Sequence, residues 1–240
     1  MAERPIPFSA PMVAALRAGT KTQTRRSLNP QPADRCANFV MLDGPRALFC
    51  DGDHPKHHSC EEHSYPIRIA AEKGDHLWVR ESYYQRGHWA PVEGAQTKGG
   101  RQKWGFVPAD DVIAFDQPAG EVRLGRHGAD PGTVCWHKRL GRFMPRSASR
   151  MTLVVTDVRV QRLQEISEED AIAEGVWNCR HPDGRVEWRP NPDNLCINKA
   201  RYAYSELWQM INGAGSWAAN PWVVAYSFTV ERRNIDEAVR

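Results

Sequence analysis

Residues 151–175 read MTLVVTDVRVQRLQEISEEDAIAEG, a strand pattern that runs into a capped helix. Val154, Thr156, Val158 and Val160 recur at a spacing of two and fall on one side, while Asp157 and Arg159 mark the other side as wet. Ser167, with Asp170 three residues on, resembles a capping box in which aspartate replaces the usual Glu or Gln. Glu168, Glu169 and Asp170 place three acids at the positive end of the helix dipole. Gly175 then stops the helix, so it is short. A strand feeding a short helix, with no βαβ regularity along the chain, argues for a small mixed α+β barrel over a doubly wound sheet.

Four further segments extend this kernel. His76–Tyr84, HLWVRESYY, reads as a strand entered through Gly74-Asp75. In 222–230, Trp222, Val224, Tyr226, Phe228 and Val230 alternate with Val223, Ala225, Ser227 and Thr229, a half-buried strand by period. Ser9 can cap a helix reaching Ala18, with Pro11 in its first turn, Met12, Val13 and Leu16 on one face, and Gly19 as the stop. Ala200, Ala203, Leu207, Met210 and Ile211 form a helical stripe before Asn212-Gly213. Between these lie three polar stretches, 29–73, 86–134 and 178–198, each far longer than an ordinary connection of about 4–6 residues. They read as long loop insertions on one domain spanning 1–240.

Composition agrees with a folded kernel carrying polar additions. The 240 residues are 41% hydrophobic and 25% charged, with nine Trp, which excludes wholesale disorder. Mean hydropathy is nevertheless −0.61, polar for a compact enzyme. A net charge of +3 does not by itself indicate a nucleic-acid partner; only its distribution can. No run approaches the ~20 apolar residues that span a bilayer, and MAERPIPFSAPM lacks an apolar signal core, so no membrane partner and a cytoplasmic location are expected. The six cysteines are scattered without a CxxC, which suggests reduced thiols over a disulfide framework.

Chemistry-bearing strings are few. Gly19-Thr20-Lys21-Thr22-Gln23-Thr24-Arg25-Arg26 combines a helix stop, three hydroxyls and three cations. It suits an anion, or is a solvated turn; its single glycine before the lysine disfavours a Walker A loop. A desolvated lysine can also activate a neighbouring hydroxyl, and Lys21 and Thr24 would share a face on a helix but not on a strand. From Trp136 to Arg162, seven cations including Arg146 and Arg150 interleave with Trp136, His137 and Phe143, a composition suited to phosphates and an unstacked base. Those arginines can equally be structural partners of Glu168–Asp170. Cys50, His54, His58, Cys60 and His63 offer zinc-type ligands, although their spacing matches no known finger. GxSxG and HExxH are absent.

Taken together, Gly19-x-Lys21-x-x-Thr24-x-Arg26, Gly74-Asp75-x-Leu77-Trp78-Val79-Arg80-Glu81 and Met144-Pro145-Arg146-x-x-Ser149-Arg150 resemble the ASCH family. Val158-Arg159-Val160-x-Arg162-Leu163, Ile166–Gly175 and Asn220-Pro221-Trp222-Val223 extend the likeness to its larger bacteriophage and prophage members. The resemblance covers about half the chain and skips the polar stretches. It implies a PUA-like β-barrel with flanking short helices and a cleft for RNA or a modified nucleoside, with no cofactor and no inferable protein partner. Small members of the family are N4-acetylcytidine amidohydrolases. That carries over as Thr24 attacking the acetyl carbonyl, Lys21 accepting its proton, and Glu174 holding the lysine or passing the proton on. Glu81 is the runner-up acid, with a salt bridge as its alternative role. Arg25, Arg26, Arg80, Arg146 and Arg150 would attract phosphate, and Trp78 or Trp217 would stack a base. Competing readings are a non-catalytic RNA or modified-base binder, a ribonuclease using His137, and a phage structural or assembly protein.

Overall fold

The computed structural model describes residues 2–32, 38–50, 65–125 and 132–238. In chain order the elements are β1 (Glu3–Pro7), α1 (Ala10–Ala18), β2 (Gln23–Ser27), β3 (Asn38–Asp43), β4 (Arg46–Cys50), β5 (Tyr65–Arg68), β6 (His76–Arg80) and β7 (Tyr83–Gln96). They continue with β8 (Gln102–Ala114), β9 (Val122–Leu124), β10 (Cys135–Arg139), β11 (Thr152–Arg162), α2 (Glu168–Ala173), β12 (Trp177–Arg180) and β13 (Val186–Arg189). Last come α3 (Ala200–Asn212), β14 (Trp222–Glu231) and α4 (Ile235–Ala238). The class is α+β, dominated by strands.

The central sheet has the order β1-β6-β11-β14-β2. Only β1 and β6 run parallel; the other pairings are antiparallel. Among the described residues no ladder joins the edge strands β1 and β2, so the sheet is open and the expected closed barrel is not formed. A side chain spans that gap instead. Arg26 on β2 donates to the Pro7 carbonyl on β1 at 2.7 Å, with its guanidinium 5.1 Å from the Phe8 ring.

Strand β11 corrects the face read from its sequence. Besides Thr152, its buried residues in the first half are Leu153 and Val155, not Val154 and Thr156. The register against β14 shifts between Val155 and Asp157, a bulge that inserts one residue and moves the inward face to Val158 and Val160. Strict alternation cannot survive such an insertion. The segment 76–84 likewise divides, because β6 joins the central sheet while β7 starts a second one. Strand β14 is buried on both faces from Trp222 to Tyr226, with Trp222, Val224 and Tyr226 on one face and Val223 on the other all in the main core.

The three polar stretches are not plain loops. The first carries β3-β4-β5, whose Phe49 packs edge-on against Trp222 at 5.1 Å and joins the main core. The second holds most of the sheet β8-β7-β10-β9, and the third is the hairpin β12-β13. Cys179 on β12 is joined as a disulfide to Cys196 of the segment after β13, their Cα atoms 6.6 Å apart, against the expectation of reduced thiols. The chain returns after β13 and bridges back at Trp188 and Ile197, which brings together two cysteines separated by 17 positions. No helix among the described residues is long and apolar enough to cross a membrane.

Candidate functional site

Helix α1 forms as its pattern suggests: Met12, Val13, Ala15 and Leu16 are buried, and Gly19 closes it at φ 75°. Ser9 holds the N-cap position, but its side chain makes no capping bond. The loop that follows docks on the end of α2. Thr22 donates its N–H to the Ala173 carbonyl at 2.8 Å, and Lys21 Nζ reaches the Glu174 carbonyl at 2.7 Å. The last carbonyls of a helix lack intrahelical donors, and the negative end of the helix dipole favours a cation. A short helix ending at Ala173, with Glu174 as its C-cap, thereby becomes the seat for Lys21. Its start is secured by Ser167, whose hydroxyl accepts the Asp170 N–H at 3.1 Å.

Lys21 is only 2% exposed. Its ammonium also meets Glu174 Oε2 at 2.9 Å, while Arg25 reaches Glu174 Oε1 at 3.2 Å and Asp170 at 2.7 Å. Arg159 and Gln23 complete the partners of Asp170. A buried charge that lost these contacts would be costly, so the network is held by mutual satisfaction. Burial pushes the Lys21 ammonium below the usual lysine range, with the Glu174 carboxylate opposing that shift. Burial and the Glu174 carboxylate push the hydroxyl of Tyr204, buried on α3, well above the usual tyrosine range, so it stays neutral.

Thr24 on β2 and Lys21 in the preceding loop line one cavity of about 380 Å³. Glu174, Arg25 and Tyr204 also border it, and Phe8, Met12, Leu207 and Trp208 supply apolar wall. The Thr24 hydroxyl makes no hydrogen bond among the described residues, and neither does the buried Trp208 Nε1. Lys21, Thr24 and Glu174, far apart in sequence, are therefore brought to one wall. Tyr204 and Trp208 are the members that sequence reading missed. The stripe read on α3 holds at Ala200, Ala203 and Leu207, which are buried, but Met210 and Ile211 are 57% and 59% exposed while Tyr204 and Trp208 face inward. Aromatic side chains at 204 and 208, four apart on the same helix, were the available signal.

Most of the other candidates lie elsewhere. Glu81 forms a bidentate pair with Arg150, both bonds 2.8 Å, the salt-bridge alternative considered for it. Arg146 is held by Asp236 at 2.6 Å and by Glu3. Arg80 stacks on Trp78, itself a buried core residue, at 4.5 Å. Trp217 packs edge-on behind Tyr204 and does not line the cavity. Arg26 alone of the proposed phosphate ligands is a half-exposed cation on the cavity wall. His137 is 1% exposed among Trp89 and Phe106, with burial lowering its pKa, which removes it from any surface phosphate. Cys50 is half-buried on β4, whereas His54, His58, Cys60 and His63 lie outside the described residues.

No family model, curated protein or solved structure matches the chain.

Proposed function

We propose that the chain is an ASCH-type amidohydrolase that removes an acyl group from the exocyclic nitrogen of a modified nucleoside, with N4-acetylcytidine as the type substrate. The single supporting observation is a desolvated lysine, pinned to a glutamate, on the wall of a cavity into which an unengaged threonine hydroxyl opens. In this reading the open central sheet is a PUA-like barrel whose last pairing is replaced by the Arg26–Pro7 contact. The volume falls within the range of about 300–1,000 Å³ usual for small-molecule sites. Arg25 is paired with Asp170 and Glu174, which leaves Arg26 as the one proposed phosphate ligand open on the wall, so the site favours a nucleoside over a polyphosphate. The apolar wall suits a flat ring, and Trp208 Nε1 offers it a donor.

Neutral Lys21 takes the Thr24 proton as Thr24 Oγ1 bonds to the acyl carbon. The C–N bond then breaks and the proton passes to the departing exocyclic amine, leaving an acyl-threonine ester. Water hydrolyses that ester to carboxylate and restores Thr24. Glu174 steers the lysine throughout and favours the ammonium that forms transiently. Because the free chain lacks a Thr24–Lys21 hydrogen bond, a binder without turnover is the second reading.

Incubation with N4-acetylcytidine separates the two. Wild type releases cytidine and acetate, whereas Thr24→Ala binds the nucleoside with little change in Kd and releases neither. Binding without product in the wild type overturns the hydrolase and leaves the binder.

The pH dependence follows from Lys21. As a base it works only when neutral, and its folded pKa lies below the ordinary 10.5. The value of kcat/KM therefore rises with pH and levels off before that ordinary value is reached. Stability moves the same way: between the folded pKa and 10.5 the unfolded chain binds more protons, so unfolding free energy increases with pH across that window. A rate profile that is flat or falling from neutral to alkaline pH contradicts the assignment of Lys21 as base.

A further inference from the structure

The hairpin formed by β12 and β13 carries ligand chemistry unrelated to the Lys21 cavity. Cys179 and His181 are two apart, so they project to one face, and Cys179 is the cross-strand partner of Glu187. His181 Nε2 lies 3.1 Å from Glu187 Oε2. Cys196 arrives from the returning segment after β13, positioned by paired backbone bonds between Trp188 and Ile197. The ligand atoms of His181, Glu187 and Cys196 all fall within 4.8 Å of one another, and Cys179 is bonded to Cys196.

We propose that in the reduced chain Cys179, His181, Glu187 and Cys196 bind one zinc ion. Two thiolates, an imidazole and a carboxylate are a zinc-type set, and four protein ligands make a closed, structural site. With bonds of about 2.0–2.3 Å, tetrahedral neighbours stand about 3.3–3.8 Å apart, close to the separations of no more than 4.8 Å among the His181, Glu187 and Cys196 atoms. The spacing Cys-x-His, then Glu five intervening residues later and Cys after eight more, reads as a hairpin clip. A dithiol reductant supplies two electrons and two protons to the disulfide and is itself oxidised to a disulfide. Zinc then displaces the two thiol protons as its sulfur bonds form. The disulfide and the metal are alternative fasteners of one hairpin, which supplies Trp177, Asn178 and Trp188 to a groove bordered by α1 and α2 residues.

The test uses the untagged full chain, reduced with a phosphine under anaerobic conditions and titrated with Co2+. One equivalent is expected to give the visible bands of tetrahedral cobalt and a near-ultraviolet thiolate charge-transfer band. Zn2+ should displace them and raise the unfolding temperature of the reduced protein. Cys179→Ser and Cys196→Ser should each abolish the charge-transfer intensity or reduce it at least by half, and His181→Ala should weaken affinity at least tenfold. A Cys50→Ser/Cys60→Ser variant should titrate like the wild type. Absence of tetrahedral bands in the reduced wild type, or bands that survive Cys196→Ser and vanish in Cys50→Ser/Cys60→Ser, overturns the proposal. Since the assay reads no turnover, its outcome is independent of the hydrolase reading.

Discussion

Lys21→Met is expected to lower turnover of N4-acetylcytidine by about 10²–10⁴-fold, the range a positioned general base contributes, while leaving the protein folded. Methionine nearly preserves the length and apolar stem of lysine but can neither take a proton nor donate to Glu174. The carboxylate is not left alone, because Arg25 remains 3.2 Å from it. The stability cost should therefore fall below the about 3–5 kcal/mol typical of breaking a buried ion pair. Glu174→Gln makes the complementary case. There Lys21 keeps its bond to the residue-174 carbonyl but loses the charge that opposed desolvation, so its pKa falls further. The rate profile of Glu174→Gln should shift to lower pH, with a reduced plateau because the transient ammonium is no longer favoured. Steady-state kinetics across pH, alongside urea unfolding, check both variants. A Lys21→Met rate within tenfold of wild type would rule out the lysine as base.

How much of this was legible in the sequence depended on the range of the interaction concerned. Signals carried by a few adjacent residues survived folding: the Gly19 stop, the Ser167 cap and the Gly175 end all stand where the local pattern puts them. Period gives α3 its stripe through Ala200, Ala203 and Leu207 but not the width or the end of the buried face, which takes in Tyr204 and Trp208 and leaves Met210 and Ile211 exposed. A single bulge after Val155 inverted the reading of half a strand. Arginines were hardest. Arg25, Arg146 and Arg150 look alike in a basic string, yet each is occupied by carboxylates between 69 and 149 residues away. Only the folded chain reveals which cations remain available to a ligand. The polar stretches hid their strands for a related reason: small sheets with one face against the core expose many polar residues and give weak alternation. The string itself offers Lys21 and Thr24 as a lysine–hydroxyl pair without deciding whether they meet, and Glu174 is marked by motif likeness alone.

Gly175→Ala is expected to be the most disruptive change of a single methyl group near the site. Residue 175 has φ +85°, where an L side chain costs about 1–2 kcal/mol. The added Cβ would also stand 2.9 Å from Lys21 Cβ and 3.2 Å from Ala15 Cβ. Neither neighbour retreats easily. Ala15 is buried in α1, and Lys21 is held at its far end by two bonds to Glu174. Adding the overlap to the strain gives a loss of roughly 2–4 kcal/mol, or on the order of 10 °C in unfolding midpoint for a chain of this size. Gly19→Ala supplies the control, because φ there is +75° but nothing lies within 4 Å of the added atom. Its loss should be confined to backbone strain, a shift of only a few degrees. The difference between the two variants measures how tightly the end of α2 is fitted against Lys21. If the lysine yields by about 1 Å to admit the methyl, turnover should fall by roughly 10²-fold as well, since misplacement of that size has such a cost. Equal midpoints for Gly175→Ala and Gly19→Ala would show that the contact carries no load and that the close seat of Lys21 on α2 is incidental.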